Sequence, residues 1–126
     1  MSEAKPEAGS LVWIDLTVED AEEVRDFYTD VVGWTSAEVD MGGYADYTMK
    51  TGGSGATITG VCHARGVNAD IPPAWMPYFA VADLDESMRA CIDNGGELMM
   101  SPKGLGEGRF CVIRDPAGAF AALFEA

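Results

Sequence analysis

The chain has 126 residues, 48% hydrophobic and 23% charged, the composition of one globular domain rather than a disordered segment. Eight basic residues against twenty-one acidic ones give a net charge of −13, which excludes a nucleic-acid binder and disfavours an anionic membrane surface. No apolar run is long enough to cross a bilayer, the opening residues lack a basic-then-apolar leader, and three cysteines without C-x-x-C spacing read as free thiols, so a cytoplasmic protein is expected.

Residues 1–10 form a polar lead-in containing Pro6 and Gly9, expected to be flexible. Leu11 to Val18 alternates: Val12, Ile14, Leu16 and Val18 share one face, Trp13, Asp15 and Thr17 the other, which predicts a half-buried strand. An acidic stretch from Glu19 to Glu23 suits a helix start, and Val24, Phe27, Tyr28 and Val31 follow at i, i+3, i+4, i+7 spacing as its core face. Gly33 fits the stop. Three strands are then predicted at about 34–40, 44–50 and 56–63, with glycine-rich turns between them.

The segment 64–75, with Pro72 and Pro73, reads as a linker. Beyond it the order repeats. A strand is predicted at 76–82 and a helix at about 84–94, with Met88, Cys91 and Ile92 inward and Gly95 and Gly96 as the stop. Strands at about 97–101, 108–114 and 119–125 complete the chain, AspProAlaGly at 115–118 forming the last turn. The glycines of 103–108 lack the order of a phosphate-binding loop and read as a loop over a pocket mouth.

The two halves superpose at a fixed offset of 63 residues: Val18 meets Val81, Asp20 meets Asp83, Glu23 meets Glu86, Gly33 meets Gly96 and Gly55 meets Gly118. A repeat this long means two copies of one βαβββ unit. Module one spans about 11–63 and module two about 76–126, within one domain covering 11–126.

With the repeat in place, TrpIleAspLeuThrValGluAsp (13–20), PheTyrThrAspValValGlyTrp (27–34), TyrPheAlaValAlaAspLeuAsp (78–85) and GlyArgPheCysValIleArgAspProAlaGlyAlaPhe (108–120) resemble the vicinal oxygen chelate superfamily of glyoxalase, bleomycin-resistance and dioxygenase proteins. The resemblance implies an α+β fold of two tandem βαβββ modules forming a cup-shaped open barrel, and a homodimer. It also implies four metal-ligand slots on the first and last strands of each module, falling here on Trp13, Thr59, Met76 and Ala122. Trp and Ala cannot ligate, Met is a soft thioether and Thr a weak oxygen donor. No metal and no cofactor are therefore expected.

Alternation places Trp13, Asp15, Thr17, Thr57, Thr59 and Val61 on the strand faces turned away from the first helix, and Met76, Tyr78, Ala80, Phe120, Ala122 and Phe124 on those turned away from the second. Of these, Trp13, Asp15, Thr59, Met76, Tyr78, Phe120 and Phe124 are the candidate ligand-binding residues. Aromatic rings, a thioether and a few polar groups suit a small organic molecule, aromatic or cationic. Asp15 is the candidate catalytic residue, as a general base or the partner of a cation. Three function classes follow: a metal-independent binder, a glyoxalase-type lyase, isomerase or dioxygenase with displaced ligands such as Asp15, His63 or Tyr78, and an interaction module whose cup is filled.

Overall fold

The computed structural model describes residues 5–126, so the first part of the lead-in lies outside the described residues. The chain folds as β1 (Leu11–Val18), α1 (Ala21–Val32), β2 (Thr35–Asp40), β3 (Ala45–Lys50) and β4 (Thr57–His63), followed by β5 (Trp75–Ala80), α2 (Leu84–Asp93), β6 (Glu97–Leu98), β7 (Lys103–Leu105), β8 (Gly108–Arg114) and β9 (Phe120–Glu125). It divides into two compact units, one of residues 14–75, the other of residues 76–126 together with the chain up to Trp13. In the latter, Gly9 donates to the Ala80 carbonyl and Ala80 donates to that of Ser10, which ties the end of the lead-in to β5.

Both helices start by the same device. Asp20 accepts from the Glu23 amide at 3.0 Å, and Asp83 accepts from the Glu86 amide at 3.1 Å, each satisfying an N-terminal donor of its helix. The repeat of Asp and Glu at this spacing is a repeat of a helix cap. Helix α1 stops at Gly33, whose φ of 84° is the left-handed conformation glycine adopts without Cβ strain.

In unit 14–75 the strand order is β2-β3-β4-β1, with β1 and β4 parallel and the other pairs antiparallel. Ala21 of α1 packs on Tyr47, Met49 and Val61, with Val18, Val24 and Trp34 around them. In the second unit the order is β5-β9-β8-β6, β5 and β9 parallel, and Leu84 of α2 packs on Cys111 and Leu123. Each unit is thus a helix laid on one face of a mixed sheet. The fold is α+β, built of two βαβββ-like modules.

Three local expectations are corrected. Phe27 and Val31 are 56% and 63% exposed, because α1 meets its sheet through Ala21 and Val24, while the half-buried Tyr28 packs on Trp34 and Trp75. Ile92 is likewise 56% exposed, while Leu84 and Met88 carry the contact of α2. The loop at 103–108 is partly a strand, since β7 pairs with β8 through Lys103–Phe110 and Leu105–Gly108.

Candidate functional site

The faces turned away from the helices differ in chemistry between the units. On unit 76–126, Tyr78 stands beside Ala122 and Ala80 beside Phe124 across the parallel pair. Phe110 and Val112 continue this face on β8, opposite Phe124 and Ala122. Tyr78 and Phe110 pack with ring centroids 5.7 Å apart. The predicted face for Met76, Tyr78, Phe120 and Phe124 is the one observed. Met76 and Tyr78 are 1% and 5% exposed, whereas Phe120 and Phe124 are half-buried.

Phe124 borders a groove of about 630 Å³, walled by Pro6, Leu105, Gly106 and Glu107, with Lys5 at its rim. Gly108 makes room for that ring: a Cβ there would stand 2.3 Å from the Glu125 carbonyl oxygen and 2.9 Å from a Phe124 ring carbon. Arg109, next along β8, donates from Nε to Glu125 at 2.9 Å and from its terminal nitrogens to Asp85 at 3.1 and 3.4 Å. This ion-pair group joins the start of α2 to the β8–β9 hairpin.

On unit 14–75 the corresponding face is polar. Asp15 pairs with Gly60 and Thr17 with Cys62 across the parallel strands. A Cβ added at Gly60 would lie 3.7 Å from both the Asp15 Cβ and the Cys62 Sγ, which places Asp15 and Cys62 on one face. Buried Asp46 shares it. Burial, the charges of Asp15 and Asp46 and a hydrogen bond to Asp46 push the Cys62 thiol up to about 12, so it stays protonated. Asp46 also accepts from the His63 backbone amide at 2.8 Å, and its Oδ1 lies 3.3 Å from His63 Nδ1. The Tyr44 ring meets the imidazole edge-on at 5.5 Å, and the Arg65 guanidinium lies 4.1 Å over Tyr44.

Thr59 does not belong to this face. It pairs with Met49, a member of the cluster under α1, is 1% exposed, and donates its hydroxyl to the Ile14 carbonyl oxygen. Val61, two residues on, packs on Ala21 as well. The gap-free offset fails here. Val61 and Leu123 play the same part under their helices, 62 residues apart rather than 63, so the structural counterpart of Ala122 is Gly60 and not Thr59.

At the ligand positions that the resemblance implies, Trp13 and Ala122 carry no ligating group and Met76 offers only a soft sulfur, while in unit 14–75 the equivalent of Ala122 is Gly60, which has no side chain. Among the described residues, no three His, Cys, Asp or Glu side chains are placed to hold a metal ion. The donor set does not fit one.

The sequence reading missed Asp46, although a lone acid between Ala45 and Tyr47 on a strand carries a period-2 signal. It also missed Phe110, whose face depended on the register of β8. Trp34 and Trp75 form an aromatic cluster with Tyr28, to which Trp75 Nε1 donates at 3.1 Å.

A family model described as glyoxalase/bleomycin resistance protein/dioxygenase superfamily matches residues 10–122. The chain belongs to this superfamily. Among its relatives are "Putative glyoxylase CFP32" of Mycobacterium tuberculosis, 34% identical, and "Anthracycline biosynthesis protein DnrV" of Streptomyces peucetius, 33% identical. These matches cover 94% and 93% of this chain but 46% and 47% of the relatives, so the chain spans about half the length of the curated relatives it matches. A methylmalonyl-CoA epimerase from Streptomyces coelicolor has the same fold, with a TM-score of 0.54, 17% identity, and coverage of 95% of this chain and 96% of that one. A Bacillus halodurans protein aligns with a TM-score of 0.56 and 13% identity, over 95% and 96% of the two chains. No described helix is long and apolar enough to cross a membrane.

Proposed function

We propose that this superfamily member binds a small organic molecule, aromatic or cationic, without a metal. The observation that carries the reading is the groove of about 630 Å³ bordered by Phe124, which falls within the ~300–1,000 Å³ typical of small-molecule sites. Phe120 and Phe124 keep accessible ring surface for an apolar ligand, while Met76 and Tyr78 form the packed layer that fixes that face. Trp13 is the proposed aromatic partner from the start of β1. Asp15 is the proposed polar anchor for a cation, and the general base if the bound molecule reacts.

Ligand screening by tryptophan fluorescence tests the reading. Trp13→Ala is expected to weaken a ligand found this way by ~1–3 kcal/mol, and Asp15→Asn to remove preference for cations. Unchanged affinity in both variants would overturn the assignment of those residues. A second reading, a metal-dependent lyase, isomerase or dioxygenase of glyoxalase type, is favoured by the name of the mycobacterial relative. Elemental analysis of protein purified without chelator separates the two, because stoichiometric metal supports the second reading and sinks the first. The homodimer is tested by sedimentation. A cytoplasmic location, in keeping with three free cysteines, is tested by cell fractionation.

A further inference from the structure

Independently of the Phe124 groove, the two modules differ on the side of the sheet that carries the helix. Asp20 and Asp83 cap their helices alike, so Tyr28 of α1 corresponds to Cys91 of α2. Val61 and Leu123 correspond, and their ladder partners Tyr47 and Cys111 lie three residues before Lys50 and Arg114. Lys50 pairs with Thr35 at the start of β2, and Arg114 with Glu97 at the start of β6. The residues just before those starts, Trp34 and Gly96, therefore correspond as well. In module one Trp34 packs on the cluster under α1, and Tyr28 packs on Trp34 with ring centroids 5.5 Å apart. In module two a thiol and a glycine stand in place of the two rings.

Where module one sets those rings, module two has a groove of about 330 Å³, with Cys91 and Gly96 both on its wall. Val81, Ile113 and Leu123 also line it, so part of the cluster under α2 is left uncovered. Two polar groups stand at its edge. Asn94 donates its side-chain nitrogen to the Ala90 carbonyl at 2.7 Å, which leaves its side-chain oxygen as an acceptor. Asp115 accepts the Ala117 and Ala119 amides at 2.8 and 3.0 Å. Its carboxylate and the net charge of −13 disfavour an anion.

We propose that this groove binds a neutral aromatic molecule of one or two fused rings with an N–H or O–H donor, of the indole or phenol class. The bound ring covers the core that Tyr28 and Trp34 cover in module one, and its donor meets the Asn94 side-chain oxygen. The groove falls at the small end of the ~300–1,000 Å³ of small-molecule sites, which suits a ligand of this size.

Cys91 supplies the readout. Cys62 and Cys111 are held up at about 12 and about 11, so Ellman's reagent acts on the native protein at Cys91. Indole at ten times its dissociation constant is expected to slow that labelling about tenfold, with a saturable dependence. No slowing overturns the proposal. Indole-3-acetate and cyclohexanol are expected to protect at least ~10-fold more weakly, and equal protection by either overturns the ligand class. Nuclear Overhauser contacts from the indole protons are expected to the Ile113 and Leu123 methyls. Contacts to Leu105 instead put indole in the Phe124 groove and overturn this site while leaving that one standing. Cys91→Tyr restores the ring of module one and is expected to abolish the contacts to Ile113 and Leu123. Unchanged contacts in the folded variant overturn the correspondence with Tyr28, and the measurements on the unaltered protein stand whether or not the variant folds.

Discussion

Gly60 stands beside Asp15 on the parallel β1–β4 pair, as Ala122 stands beside Tyr78 on β5–β9. The space next to Asp15 is therefore open on the β4 side, where a Cβ would make only ordinary contacts of 3.6–3.7 Å. Gly60 is not among the positive-φ glycines, so alanine fits its backbone. Gly60→Ala is expected to stabilise the protein by ~0.4–1 kcal/mol, through reduced freedom of the unfolded chain. Urea denaturation checks this, and a loss of stability would contradict the register.

Thr59 is a structural residue by its hydroxyl bond to the Ile14 carbonyl and by its place under α1. Thr59→Val keeps the shape and removes the donor, and should cost about 1 kcal/mol of stability. Ligand affinity measured in the same variant should not change.

Asp85 binds its proton less tightly in the folded chain than in the unfolded one, because Arg109 first hydrogen-bonds its carboxylate and then lowers it further by charge. The stability this adds is complete above the ordinary carboxylate value of about 3.9 and is lost as pH falls through the lowered folded value. Arg109→Gln should flatten the acid limb of the stability–pH curve. Added salt should flatten it in the unaltered protein, since the pair is solvent-exposed.

The thiols differ in environment. Burial raises Cys62 to about 12 and Cys111 to about 11, so neither forms thiolate at mildly alkaline pH. Ellman's reagent on the native protein should leave both unreacted, and unfolding in guanidinium should expose all three. Rapid labelling of Cys62 in the native state would contradict the packing around Asp15 and Asp46.

Much of the fold was legible because its signals are local. Asp20 and Asp83 announce helix starts by residue type and by the Glu three residues on, and both caps are made as the spacing implies. Leu11 to Val18 shows its two faces because alternation is a property of one strand. The face of β9 was also legible, its Leu123 packing under α2 while Phe120, Ala122 and Phe124 turn away. The face of β4 was not, because TITGVCH (57–63) offers side chains of similar character on both sides and the offset from module two slips by one residue. An irregularity between Met49 and Lys50 marks where the pairing register shifts.

The sequence alone determined the repeat, the helix caps and the mixed α+β architecture, since each follows from residue type at fixed spacing. The tertiary structure decided that Gly60 rather than Thr59 lies beside Asp15, that Phe27 and Val31 face solvent, and that Asp46 gathers Cys62 and His63. Those facts depend on the register between strands and the rotation of a helix on its sheet. Both are set by the sum of many side-chain contacts made only when distant segments meet, and a shift of one residue moves a side chain to the opposite face.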